Sequence, residues 1–202
     1  MKTEDLIAQL AGDRPEPVAS AFYGVGLLLI AMLATMGLSV LLYGVRSDGP
    51  TGGAWSVTIW AVLGIMALVS ARRMRLPEPP QWLAVLAPFA GLLLLLLVLT
   101  GIAYSEGAAL VRADHLIHCL QTVGLLAVMP FFAVSFLLRR GAPASPLMAG
   151  AMAGLVAGSV GALAYSISCP INDPMASLSA HTLTVLIIAA LGALIGTRLY
   201  AW

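Results

Sequence analysis

The sequence predicts an all-α polytopic membrane protein: six transmembrane helices, both termini in the cytoplasm, and a short amphipathic helix before the first span. Three observations carry that expectation. Of the 202 residues, 60% are hydrophobic and 9% are charged, whereas soluble domains carry about 25% charged residues. The charges fall in clusters, and the uncharged stretches between them reach the roughly 20 residues that a helix needs to cross a bilayer. Lys and Arg are also divided unevenly between alternate connections. This composition excludes a water-soluble domain, a disordered chain and a nucleic-acid binder with a basic face. The net charge of +1 names no partner.

The spans are read at 19–44, 54–71, 80–104, 115–138, 145–168 and 178–199, so that residues 1–18 form a cytoplasmic segment and 19–202 the transmembrane domain. The first, "FYGVGLLLIAMLATMGLSVLLYGV", exceeds the roughly 7–15 apolar residues of a signal peptide and follows an acidic stretch, so it is expected to remain as a span. The third, "LAVLAPFAGLLLLLLVLTGIAY", is the most uniformly apolar. Period-two alternation is absent, which disfavours a barrel and leaves helices to satisfy the backbone in lipid. Pro88 and Pro130 fall inside the third and fourth spans and are expected to kink them. The fifth span repeats Gly150, Gly154 and Gly158, and the sixth Gly192 and Gly196. Small residues four apart let helices approach closely, and packing within the bundle is the expected use.

Orientation follows from the basic residues. With the N-terminus inside, the inner segments hold Lys2, Arg14, Arg72, Arg73, Arg75, Arg139, Arg140 and Arg198, and the outer loops hold only Arg46 and Arg112. Trp82 and Trp202 then fall near the inner interface and Trp55 near the outer one. No Asp, Glu, Lys or Arg lies within a span, Arg198 being terminal. Transporters that couple to ions keep such a group at depth, so a small metal or solute transporter with an outer His/Cys entry site is the second reading. No Walker loop, dinucleotide fingerprint or HExxH motif occurs, and an enzyme is not expected.

The topology places His115, His118, Cys119, Cys169 and His181 toward the outer side. His115, His118 and Cys119 stand three and four residues apart at the start of span four, a spacing that shares one helix face. Cys169 ends span five. His181 begins span six, where a capping or interfacial role is the plain reading. Three readings of the thiols stay open: a constitutive disulfide or packed thiols, an oxidant sensor, and a thiol site capped by a heavy metal. In the last, His115, His118, Cys119 and Cys169 would be the ligands, a donor set that suits zinc and thiophilic ions.

The opening segment reads "MKTEDLIAQLAGDRPEPV". Thr3 is an N-cap residue, Glu4 and Asp5 favour the helix dipole in the first turn, and Leu6, Ile7 and Leu10 form an apolar stripe. Gly12, Pro15 and Pro17 end the helix. A helix this short is marginal alone. Being acidic, it is a poor ligand for anionic lipid. A cytoplasmic protein with an apolar groove suits it better.

The segments "KTEDLIAQLAGD", "RRGAP" at 139–143, "AGAMAGLVAGSVGALAY" at 149–165, "CP" at 169–170, "LGALIG" at 191–196 and "RLYAW" at 198–202, with the helix bearing Cys119, carry a resemblance to a known family. The chain resembles the NrsF family of bacterial anti-sigma factors over nearly its whole length, and most specifically in its second half. The resemblance implies a multi-pass protein of the bacterial inner membrane. Its N-terminal segment would hold an extracytoplasmic-function sigma factor inactive, and Cys119 and Cys169 would occupy the sensing positions for oxidative or heavy-metal stress. The family often carries a Trp–Tyr pair early in the last span, where this chain has Ala180 and His181. The ligand role of His115 and His118 comes from spacing alone. On this reading Leu6, Ile7 and Leu10 enter a groove on the sigma factor, and Glu4 and Asp5 meet its basic surface. The partners are the sigma factor and the bilayer, without direct nucleic-acid contact. No cofactor is expected beyond a heavy-metal ion held transiently at the cysteines.

Overall fold

Within hydrocarbon a backbone amide finds no water, so each apolar stretch closes its hydrogen bonds on itself as a helix. The computed structural model describes residues 18–46, 54–74, 82–105, 113–141, 143–169 and 174–200. It contains α1 (Val18–Tyr43), α2 (Ala54–Arg73), α3 (Trp82–Ser105), α4 (Ala113–Arg139), α5 (Pro146–Ser166) and α6 (Pro174–Leu199). The described residues include no strand. Each of the six helices is long and apolar enough to cross a membrane, which fits a multi-pass membrane protein. The expected amphipathic helix, with Thr3, Glu4, Asp5, Leu6, Ile7 and Leu10, lies outside the described residues. So do Trp202 and the side chains of Trp55 and Trp82.

The helix ends have local causes. Ser145 caps α5 by accepting a hydrogen bond from the Met148 amide at 3.4 Å, and Pro146 opens the helix, where its missing N–H costs nothing. Gly44 ends α1 with φ of 75°, a left-handed conformation that favours glycine. Its amide bonds the Val40 carbonyl at 2.9 Å, which satisfies a carbonyl the helix leaves open. Helices α3 and α4 run through Pro88 and Pro130.

One expected boundary moves. Helix α6 starts at Pro174 rather than at residue 178. Ser177, which ends the expected loop, is buried, as is Ser179 within the expected span, and the Ser179 hydroxyl donates to the Met175 carbonyl at 2.5 Å. Their polar groups are absorbed by the helix and its neighbours, so they do not stop it.

Helix α5 is the axis of the bundle. It packs on α6, α4, α2 and α1, while α6 also packs on α4 and α3, and α3 on α2. In the membrane-crossing stretch of α5, 83% of the residues are buried, against 22% in α1 and in α3. Small residues make this central position possible. A methyl group on Gly154 would lie 2.5 Å from the Ile188 carbonyl oxygen, and one on Gly196 would lie 2.5 Å from Gly150 Cα. The glycine repeats thus bring α5 and α6 into backbone contact, as expected of small residues in lipid.

The outer helices do not close the ring. Helix α1 rests on α4 and α5, and between it and α2 lies an apolar cavity of about 100 Å³ lined by Leu28, Met32, Trp60, Gly64, Leu68 and Val134, among others. Arg72, Arg73, Arg139, Arg140 and Arg198 gather at the bundle end where α1, α3 and α5 begin. Arg140 lies over the Phe136 ring, 4.5 Å from its centroid.

Candidate functional site: a buried thiol end

The opposite end is built around the last turn of α5. Tyr165 is 1% exposed, and three rings meet it edge-on: Tyr43 of α1 at 5.5 Å, His181 of α6 at 5.7 Å and His118 of α4 at 6.1 Å between centroids. Such edge-to-face geometry matches the ring quadrupoles. The Tyr165 hydroxyl and His118 Nε2 share a hydrogen bond of 3.0 Å. One side chain therefore joins four helices.

The thiols flank this hub. Cys119 lies in the second turn of α4 and Cys169 just beyond α5; both are free and fully buried. Both belong, with Tyr165, to the buried core of the bundle. Cys169 Sγ also lies 3.7 Å from Ser177 Oγ.

The same end is tied laterally by short polar contacts. The Ser39 hydroxyl of α1 donates to the Ala164 carbonyl at 3.0 Å and lies 3.2 Å from the Ser168 hydroxyl. The Arg46 amide donates to the Ile167 carbonyl at 3.2 Å. Ser56 of α2 and Ser166 of α5 pair at 3.1 Å. Buried hydroxyls that find partners cost little and give the end a defined geometry.

The histidines differ in burial. His118 is exposed and His115 half-buried. Among the described residues no three His, Cys, Asp or Glu side chains gather to hold a metal ion, so His115, His118, Cys119 and Cys169 do not form such a group. His181 was expected at a helix start, but α6 begins at Pro174 and places it two turns in. It is fully buried, 6.2 Å from the Trp60 ring, and neither of its ring nitrogens has a hydrogen-bond partner. It is a core residue, neither a cap nor interfacial.

Tyr165, Tyr43, Trp60, Ser39 and Ser177 escaped the sequence reading. Spacing offers the one available signal: Tyr165 stands four residues before Cys169, one helical turn away. Nothing local distinguishes Ser39 or Tyr43 from other residues of an apolar span.

The fold and this end define a class: an all-helical membrane-type bundle carrying a buried pair of thiols. The chain belongs to the NrsF family, described as negative regulator of sigma F, whose model matches residues 8–202. It is 31% identical over the whole length of both chains to a protein of Azospira oryzae named as a probable anti-sigma-F factor NrsF. No solved structure matches the chain. The resemblance read from the sequence is therefore right, and the family implies a sigma factor as partner.

Proposed function

We propose that the chain is a membrane-bound anti-sigma factor of the bacterial inner membrane with its arginine-rich end in the cytoplasm. Residues 1–18 hold an extracytoplasmic-function sigma factor away from RNA polymerase core, with Leu6, Ile7 and Leu10 in a groove of the sigma factor. A signal at Cys119 and Cys169 on the far side releases it. The observation that supports this most is that Cys119 and Cys169 are both free and buried at the end opposite Arg72, Arg139 and Arg198.

The chemistry is balanced by a two-electron oxidant. Two thiols and hydrogen peroxide give one disulfide and two waters, with both thiol protons leaving in the water. A disulfide needs a Cα separation of about 4.4–6.8 Å, so its formation would fix the turn after α5 against the second turn of α4. Cadmium capture by the two thiolates, with release of their protons, is the other trigger that the donor atoms suit.

The test is co-purification of the tagged full-length chain with its sigma factor, alongside thiol labelling in intact cells before and after peroxide or cadmium. Deleting residues 1–14 is expected to abolish capture. Cys119→Ser and Cys169→Ser are expected to keep capture and lose release. Undiminished capture after the deletion, or a normal stress response in the double serine variant, overturns the corresponding half of the reading.

A further inference from the structure

How a change among the thiols reaches the N-terminal segment is an open step in that reading, and the following rests on it. We propose that α1 is the transmitter, with Ser39 and Tyr43 as the coupling residues that tie it to the thiol site. Helix α1 packs on α4 and α5, and these are the helices associated with the two thiols: Cys119 lies on α4, and Cys169 follows α5.

Its far end is fastened to the stretch between Ala164 and Ser168, immediately before Cys169. Ser39 bonds the Ala164 carbonyl and meets the Ser168 hydroxyl. Tyr43 stacks edge-on against Tyr165. Past the Gly44 turn, the Arg46 amide bonds the Ile167 carbonyl. A displacement of residues 164–169 therefore pulls on α1 through three successive attachments.

The rest of α1 is built to pass the displacement on. Its 26 residues form one unbroken helix, about 39 Å long at 1.5 Å per residue. Near its beginning it lies close against α4: a methyl on Gly24 would come 2.7 Å from Leu137 Cδ2. That contact acts as a pivot. On its other flank an apolar cavity beside Trp60, Gly64 and Leu68 lies between it and α2, so α1 is held mainly by α4 and α5. Val18 follows Pro17 directly, so a tilt of α1 moves the anchor of the sigma-binding segment. A packed helix transmits a local change better than a deformable one, because packed interfaces favour discrete arrangements.

The test uses the full-length chain in membrane vesicles with the sigma factor that wild type holds, treated with hydrogen peroxide. Thiol oxidation is read by alkylation shift and sigma release by sedimentation. The Ser39→Ala/Tyr43→Ala variant is expected to capture sigma at rest and to oxidise as wild type does. Its release should be about tenfold weaker, the ratio set by some 1.4 kcal/mol of lost differential interaction. Tyr43→Phe, which keeps the ring contact, should release normally. A second variant leaves the bundle intact: two glycines inserted between Pro17 and Val18 should keep capture and uncouple release. Release in step with oxidation in both the double-alanine and the insertion variant overturns the transmitter. Wild type that oxidises without releasing sigma overturns the functional reading beneath it, and the two failures are distinguished by which protein shows them.

Discussion

The hydroxyl of Tyr165 lies 3.0 Å from Nε2 of His118, which joins the last turn of α5 to the second turn of α4. This bond crosses the same seam that separates Cys119 from Cys169. Tyr165→Phe removes the bond and keeps the ring contacts with Tyr43 and His181. We expect it to cost about 0.5–1.5 kcal/mol, as for one hydrogen bond. Tyr165→Ala also opens a void among four helices and should cost about 3–5 kcal/mol. Thermal unfolding in detergent measures both, and equal losses in the two variants would show that the ring contacts contribute nothing.

Contact between α5 and α6 depends on the absence of side chains. Gly154→Val would drive atoms into the Ile188 carbonyl and Ala189 Cα, where backbone cannot yield as a flexible side chain can. We expect a loss of at least about 3 kcal/mol, the upper range for overpacking. Gly37→Ala is the control, since nothing lies within 4 Å of a methyl there, and replacing a mid-helix glycine should stabilise by about 0.5–1 kcal/mol. Detergent melting of the two variants should therefore shift in opposite directions.

His181 buries two ring nitrogens without hydrogen-bond partners. An apolar residue of similar size removes that cost and keeps most of the packing. We expect His181→Leu to be neutral or stabilising, within about 1 kcal/mol of wild type or above it, as when unpaired buried polar groups are replaced by apolar ones. A loss above about 2 kcal/mol on thermal unfolding would mean that the imidazole has a partner in the membrane.

Both thiols are fully buried. Cysteine reactivity needs access, and burial restricts it. Labelling of Cys119 and Cys169 with a maleimide should thus be slower in the native bundle than in denaturing detergent, by about tenfold or more if access requires local opening. Equal rates in the two conditions would place the thiols at an open surface.

Much of the architecture was legible from composition and pattern. The apolar stretches had to be helices, because lipid leaves the backbone no other partner, and their number and approximate limits followed from the gaps between charges. The Gly150/Gly154/Gly158 and Gly192/Gly196 repeats announced a close helix contact. The family was legible too, through segments concentrated in the second half. The limit failed where a polar side chain is accommodated inside the bundle: Ser177 looked like the end of a loop and is buried helix.

The site was legible only in part, for the same reason. Residue type marks thiols and imidazoles along the chain, so Cys119 and Cys169 could be singled out. Side-chain neighbours across helices leave no local trace. Only the tertiary structure decided that Tyr165 is the hub and that His181 is core. It also decided that α1 is fastened by Ser39 and Tyr43 beside Cys169. The sequence by itself determined the helices, because backbone satisfaction in lipid is a local demand. Which helix faces which depends on close packing of small residues and on a few buried hydrogen bonds between residues more than a hundred positions apart, such as Ser39 and Ala164.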